Sequence, residues 1–422
     1  MAAFSGMYVR ICGFFVGRHA KMEVRKFGGD LMKLFHTADW HLGKLVQGVY
    51  MTEDQRFIIN EFLRAIDEEK PDVVIIAGDL YDRSLPPVEA VNLLDDIFQE
   101  IIIKRKTPII AISGNHDSPT RLEFGSKLMK ESGLHIVGEL SEKQQPIILS
   151  DAYGEVHFHA IPFAEPSIVK SVYQDDSVVS YDDAMKKITS EIVGNMKTGV
   201  RHVAIAHAFV TQNGEKQENT SDSERPLAIG GSECVNSAYF MPFHYTALGH
   251  LHKAHKVQDD KICYSGSPLK YSLSEALHEK GFYSIELLAD GQIQKEKRKL
   301  KPVRDLRVVE GTMQEILRHE ESEDYVFVSL TDLTPVVGAM EQIRTVYKNA
   351  MHVSRKSLMA KDKTEDDVQV TERAELDDAT LFQAFCEEMT GDQPTDMAQA
   401  IFAEVLQELL DDEHERVEVQ GK

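Results

Sequence analysis

His36-Thr37-Ala38-Asp39-Trp40-His41 follows an apolar run, Met32-Lys33-Leu34-Phe35, that reads as the first strand of the chain. An Asp and a His two residues apart at a strand end are metal-capable donors in the place where α/β sheets gather ligands, beyond the carboxyl ends of their strands. Four later stretches repeat the arrangement: Gly78-Asp79-Leu80-Tyr81-Asp82, Gly114-Asn115-His116-Asp117, the lone His207, and Gly249-His250-Leu251-His252. Taken together they predict a dinuclear metal site.

Helices and strands alternate around these stretches. Thr52-Glu53-Asp54-Gln55 has capping-box spacing and precedes Phe57, Ile58, Phe62 and Ile66 at helical intervals, so a helix is expected to about Lys70, where Pro71 ends it. Val73 to Ala77 is a continuous apolar run of the kind buried on both faces of a sheet, and Gly78-Asp79 stands at its end. Pro86 and Pro87 open a second amphipathic helix reaching Ile103, and Pro108 to Ile112 is the strand before Gly114-Asn115. Beyond lie a helix from Thr120 to Glu131, strands near His135 to Val137 and Val156 to Ile161, and a helix from Tyr181 to Met196. Apolar strands from Val203 to Ala206 and from Tyr245 to Leu248 lead into His207 and His250. The alternation, followed by a strand-rich stretch, predicts an α/β layered domain.

A chain of 422 residues exceeds the size at which one core keeps growing. The locally basic run Lys295-Glu296-Lys297-Arg298-Lys299-Leu300-Lys301 and Pro302 suggest a boundary, so residues 32–300 form the expected main domain. Residues 301–360 read as a small α/β unit with a strand from Tyr325 to Leu330 and a helix from Val337 to Val346. Residues 361–422 read as a charged linker and a helical tail, with apolar stripes at Leu381, Phe382, Phe385 and Met389 and at Ile401, Phe402, Val405, Leu406 and Leu409. Residues 1–31 fit poorly with the rest of the chain and are expected to be a non-native or disordered extension, with Met32 as the true start. Gly28-Gly29-Asp30 can be encoded by GGAGGTGAT, a ribosome-binding sequence upstream of a Met32 codon.

The net charge of -22 is unevenly spread. Residues 365–422 carry 18 Asp and Glu against 3 Lys and Arg, which leaves -7 for residues 1–364. The body is therefore only mildly acidic, and a nucleic-acid partner is not excluded. Cys12, Cys234, Cys263 and Cys386 show no metal-ligand or redox spacing, which favours free thiols in a reducing, cytoplasmic setting. No apolar run approaches a membrane span.

Carboxylate, amide oxygen and imidazole without thiolate suit manganese, iron or zinc at two adjacent positions. Two such ions can clamp the attacking and leaving oxygens of an in-line phosphoryl displacement. His36, His135, His157, His159, His244 and His255 lack the strand-end context and read as structural, and Trp40 as a residue packed beneath the site.

In these residues the chain resembles the calcineurin-like metallophosphoesterases, whose Asp-x-His, Gly-Asp-x-x-Asp, Gly-Asn-His-Asp, lone His and Gly-His-x-His occur here complete and in order. The resemblance implies a sandwich of two mixed sheets flanked by helices. It implies one metal on Asp39, His41, Asp79 and His252, and a second sharing Asp79 and adding Asn115, His207 and His250. A water shared by the two cations would be the nucleophile. His116 would be the catalytic histidine, protonating the leaving oxygen, with Asp82 and Asp117 orienting ligand or catalytic histidines.

A closer resemblance, in residues 36–43, Gly78 to Asp82, Gly249 to His252 and Tyr264-Ser265-Gly266-Ser267-Pro268, is to the SbcD family of bacterial nuclease subunits. It implies an ATP-dependent 3'-to-5' exonuclease on duplex DNA, with single-strand endonuclease and hairpin-opening activity. It implies two manganese ions, and a homodimer within a heterotetramer with an SbcC-like coiled-coil ATPase on which the tail helices would dock. No Gly-x-x-x-x-Gly-Lys-Ser or -Thr loop occurs in the chain, consistent with ATP being handled by another subunit. The competing expectation is a phosphoesterase for small-molecule or protein substrates. The basic run near Lys295 reads either as a DNA-phosphate contact or as a solvated strand edge.

Overall fold

The computed structural model describes residues 31–214, 224, 233–332, 334–355, 382–383, 386, 393–403 and 405. The expectation for residues 1–31 falls outside these but for Leu31, as does most of the expected helical tail, including Leu381, Phe385, Met389, Leu406 and Leu409.

Two six-stranded sheets carry the architecture. In the first, Met32–Thr37, Val73–Ile76, Ile109–Ile112 and Leu134–Val137 run parallel, and Gly281–Leu287 and Ile293–Lys299 add an antiparallel edge beside Met32–Thr37. In the second, Asp259–Tyr264, Tyr245–Gly249, Arg201–His207 and Gly154–Ile161 are parallel neighbours. His255–Val257 and Ile147–Asp151 close its two edges in antiparallel fashion.

The period-2 geometry of a strand sorts its side chains between two cores. Leu34, Val73, Ile75, Ile110 and Ile112 of the first sheet face Val156, Phe158, Val203, Ile205 and Ala247 of the second. The alternate residues Phe35, Val74, Ile76, Ile109 and Ala111 pack outward on Ile58, Phe62 and Ile66 of the helix Thr52–Glu69 and Leu93, Leu94 and Ile97 of the helix Val88–Phe98. On the far side, Ala204, Ala206 and Leu248 meet Ala184, Met185 and Ile188 of the helix Tyr181–Gly194. The result is helix, sheet, sheet, helix, with strands buried on both faces, as their unbroken apolar runs require. This is the mixed two-sheet sandwich that the resemblance implied.

Three local expectations are corrected. Thr52 forms no capping box, because the Gln55 side chain turns away to bond Gly43 N at 3.0 Å and His41 O at 2.7 Å. The helix expected from Thr120 to Glu131 is broken into Pro119–Leu122, Ser126–Met129 and a 3-10 turn, since Gly125 adopts φ 76° between the pieces. The second helix is regular only to Phe98 and continues as a π-helix over Gln99–Lys104.

The chain divides into two compact units. The first holds both large sheets and includes His319–Val328 and Met340–His352, while the second includes Glu310–Arg318 and Ser329–Ala339. Leu306–Gly311, Tyr325–Leu330 and Ala350–Arg355 form a three-stranded sheet. In the second unit the Phe382 and Phe402 rings stack at 4.1 Å. The basic run is an edge strand whose charges are largely satisfied: Lys297 donates to Glu279 O at 2.7 Å, Arg298 pairs with Glu69 at 2.8 Å, and Lys299 pairs with Glu279. Among the described residues no helix is long and apolar enough to cross a membrane.

Candidate metal centre

The loops after three parallel strands of the first sheet and two of the second converge at one end of the sandwich. Asp39 and His41 follow Met32–Thr37, Asp79 follows Val73–Ile76 and Asn115 follows Ile109–Ile112, while His207 ends Arg201–His207 and His250 and His252 follow Tyr245–Gly249. Asp39, His41, Asp79 and His250 all have positive φ, of 54°, 46°, 51° and 106°. Such backbone is costly for non-glycine residues and aims their side chains back across the strand ends. The motif glycines make room. A Cβ on Gly78 would lie 2.3 Å from His207 Nδ1, and one on Gly114 would lie 2.1 Å from Asp79 Oδ1.

Asp79 stands at the middle. Its Oδ2 lies 3.6 Å from His41 Nε2 on one side and 3.5 Å from His207 Nε2 on the other. On the first side His41 Nε2 faces His252 Nε2 at 3.0 Å. On the second, Asn115 Oδ1 lies 2.9 Å from His207 Nε2 and 3.3 Å from His250 Nδ1. The Asp39, His41 and His252 donors fall within 4.8 Å of one another, as do those of Asp39, Asp79 and His207. All seven expected ligands are thus brought together. His207 Nδ1 donates to Ala77 O at 2.9 Å, which turns Nε2 towards Asp79 and Asn115.

His116 stands beside this group, its ring edge-on to His41 with centroids 4.7 Å apart. Its Nδ1 donates to Asp82 O at 2.8 Å and its backbone N–H to Asp79 Oδ1 at 2.9 Å. The Asp82 carboxylate is 2.8 Å from Lys44 and 3.7 Å from His41 Nδ1. Asp117 does not touch a histidine ring. It accepts N–H groups of Leu80, Tyr81 and Gly114 at 3.1, 3.0 and 2.9 Å, tying two donor loops together. Trp40 is buried below, donating to Thr37 Oγ1 at 2.8 Å.

The electrostatics are those of crowded, desolvated groups. Burial, partly opposed by His207 and His252, pushes the Asp39 carboxyl up to about 7. Burial also raises Asp79, but the charge and hydrogen bond of His207, then His41 and His116, outweigh it and hold that carboxyl well below its usual range. Burial lowers His207, yet Asp79 and Asp39 bring it up to about 9. Burial holds His250 at about 3 and His41 well below its ordinary value. Asp39 Oδ2 and His41 Nδ1 are buried without a hydrogen-bond partner. An orphaned carboxylate oxygen beside convergent imidazole nitrogens is chemistry that a divalent cation satisfies, so the donor set fits the expected metals.

Sequence reading missed four supports. Gln55 and Tyr271 anchor the first loop, the Tyr271 hydroxyl donating to Trp40 O at 2.6 Å. Glu275 meets His252 Nδ1 at 3.0 Å and is itself paired with Lys280. Gln55 looked like part of a helix cap, and the other three stand in a stretch without periodicity. A buried-type helix position occupied by Gln was the one available signal.

This geometry defines a class, the calcineurin-like phosphoesterases, and the family model of that description matches residues 32–253. A second model, described as the type 5 capsule protein repressor C-terminal domain, matches residues 302–390. A curated relative, the SbcD subunit of the SbcCD nuclease from Staphylococcus epidermidis, is 34% identical over 386 residues, covering 90% of this chain and 100% of the relative. The chain belongs to the SbcD family of nuclease subunits. A dimetal phosphatase from Danio rerio gives a distant structural likeness, with a TM-score of 0.37 and 11% identity over 65% of this chain and 98% of that one.

Proposed function

We propose that this chain is a manganese-dependent DNA nuclease subunit that acts as a 3'-to-5' exonuclease on duplex ends, cuts single strands and opens hairpins. It would serve DNA repair, recombination and replication in the cytoplasm, as a homodimer joined to a coiled-coil ATPase of the SbcC type. Residues 301–360 would form a small α/β domain, and 361–422 an acidic linker and partner-binding tail. The observation that carries this reading is the convergence of seven donors from five strand ends around Asp79, in a chain whose relative is a nuclease subunit. The exposed Val88, Val91 and Ile103 support a dimer surface along the second helix.

Two divalent ions, one held by Asp39, His41, Asp79 and His252 and the other by Asp79, Asn115, His207 and His250, would supply Lewis-acid polarisation of the phosphoryl oxygens and lower the pKa of a neighbouring water. Asp79 joins the two positions, and Asp117 keeps the Asp79 and Asn115 loops in register. With Nδ1 donating to the Asp82 carbonyl, His116 as the doubly protonated imidazolium would give its Nε2 proton to the oxygen released as the P–O bond breaks, and be left as the neutral ring.

Purified protein with manganese and its ATPase partner is expected to cut linear and hairpin DNA in preference to a small aryl phosphate. His116→Ala is expected to slow DNA cleavage by about 10²–10⁴-fold while manganese content, read by elemental analysis, is unchanged. Preference for the aryl phosphate, or parental cleavage by the variant, would overturn the assignment.

A further inference from the structure

We propose that the buried Glu275–Lys280 pair positions His252, fixing which ring nitrogen it offers to the metal centre. The inference rests on the reading of His252 as a ligand. Glu275 lies on the 3-10 turn Leu273–Glu275 and is fully buried, as is nearly all of Lys280. Neither belongs to the strand-end motifs.

One Glu275 oxygen, Oε1, faces His252 Nδ1 at 3.0 Å and also accepts from Ser272 Oγ at 3.2 Å. An ionised carboxylate only accepts hydrogen bonds, so Nδ1 carries the proton and the Nε2 lone pair points at His41 Nε2, 3.0 Å away. The other oxygen, Oε2, pairs with Lys280 Nζ. Lys280 in turn donates to His252 O at 2.9 Å and to Ser267 Oγ at 2.8 Å. The pair therefore grips both the ring and the backbone of one residue.

The acceptor distinguishes this histidine from its neighbours. His207 is held by a neutral carbonyl, and His41 Nδ1 stands 3.7 Å from Asp82. A carboxylate behind an imidazole orients it and raises its basicity, and loss of such a partner typically weakens metal binding by about 10–100-fold. Lys280 is what lets the carboxylate remain ionised without water, since a buried charge needs a partner.

The test uses the whole chain and manganese alone, titrated calorimetrically into metal-free protein. Removing both charges avoids stranding either one, and apolar replacement of a buried pair is often tolerated. Glu275→Leu with Lys280→Met is expected to weaken one of two manganese positions about 10–100-fold and leave the other unchanged. Glu275→Gln with Lys280→Met keeps an oxygen acceptor and is expected to recover most of that loss.

Parental affinity at both positions in both variants, or equal loss in both, would overturn the inference. If the leucine variant gives no cooperative melt, the ring ¹⁵N shifts of His252 in zinc-loaded parent decide: a proton on Nδ1 supports the role and one on Nε2 overturns it. A parent that takes up no manganese would instead sink the metal-centre reading, and this inference with it.

Discussion

The two sheets make unequal contributions to one centre. The first sheet supplies the oxygen donors, Asp39, Asp79 and Asn115, together with the single imidazole of His41, whereas the second supplies imidazoles only, His207, His250 and His252. Each proposed metal position draws on both. The centre therefore exists only where the sheets face each other, and the apolar layer between them sets its dimensions. His36 spans the same layer, its Nδ1 2.8 Å from the Tyr245 hydroxyl and its Nε2 3.1 Å from Leu248 O.

Three perturbations bear on this division. Asp79→Asn removes the carboxylate proposed to be shared by the two positions, and the largest effect is expected there. Activity should fall by more than the roughly 10–100-fold typical of losing a supporting residue, with depletion of both ions by elemental analysis. Retention of both would show that Asp79 is not shared.

His41→Ala and His250→Ala probe the halves separately. Each should deplete a different position first, resolved as two classes of manganese affinity in titration. A His41→Ala protein holding two ions with full activity would contradict the assignment of His41 to a single position.

The smallest effect is one of stability. Burial holds His36 at about 3 in the fold, against about 6.5 in an unfolded chain. Between those values the unfolded state binds a proton that the native state refuses, so stability rises with pH across the window and is lost as pH falls from 6.5 towards 3. At pH 5 the loss is about 2 kcal/mol. Urea unfolding at pH 7 and pH 5 should show a smaller difference in His36→Gln than in the parent.

The convergence of the seven candidate donors was legible because each ends or closely follows a strand, and the apolar runs Val73 to Ala77 and Pro108 to Ile112 announce those ends. Short parallel strands leave a consistent signal, since both of their faces must be apolar. The supporting layer was less legible. Glu275 and Lys280 look like ordinary surface residues in a stretch without periodicity, and only the folded path of residues 265–280 buries them. Gly125 is a visible breaker, and its positive φ outweighs the apolar helical spacing around it. Gln55 shows the opposite case, a correct helix with a wrong cap, because a tertiary partner outcompeted a local one. Ile147–Asp151, the edge strand of the second sheet, went unread. Its residues are mostly half-exposed, so its pattern lacked the continuous run that marked the inner strands.

The left-handed backbone at Asp39, His41 and Asp79 carries a further implication. Each such residue costs on the order of 1–2 kcal/mol relative to ordinary backbone, and the crowded carboxylates add to that cost. The fold therefore gives up stability to aim its donors, and activity and robustness pull against each other at these positions. A glycine at His41 would relieve backbone strain while removing a donor, so the change that makes this sandwich more durable would weaken one of its two proposed metal positions.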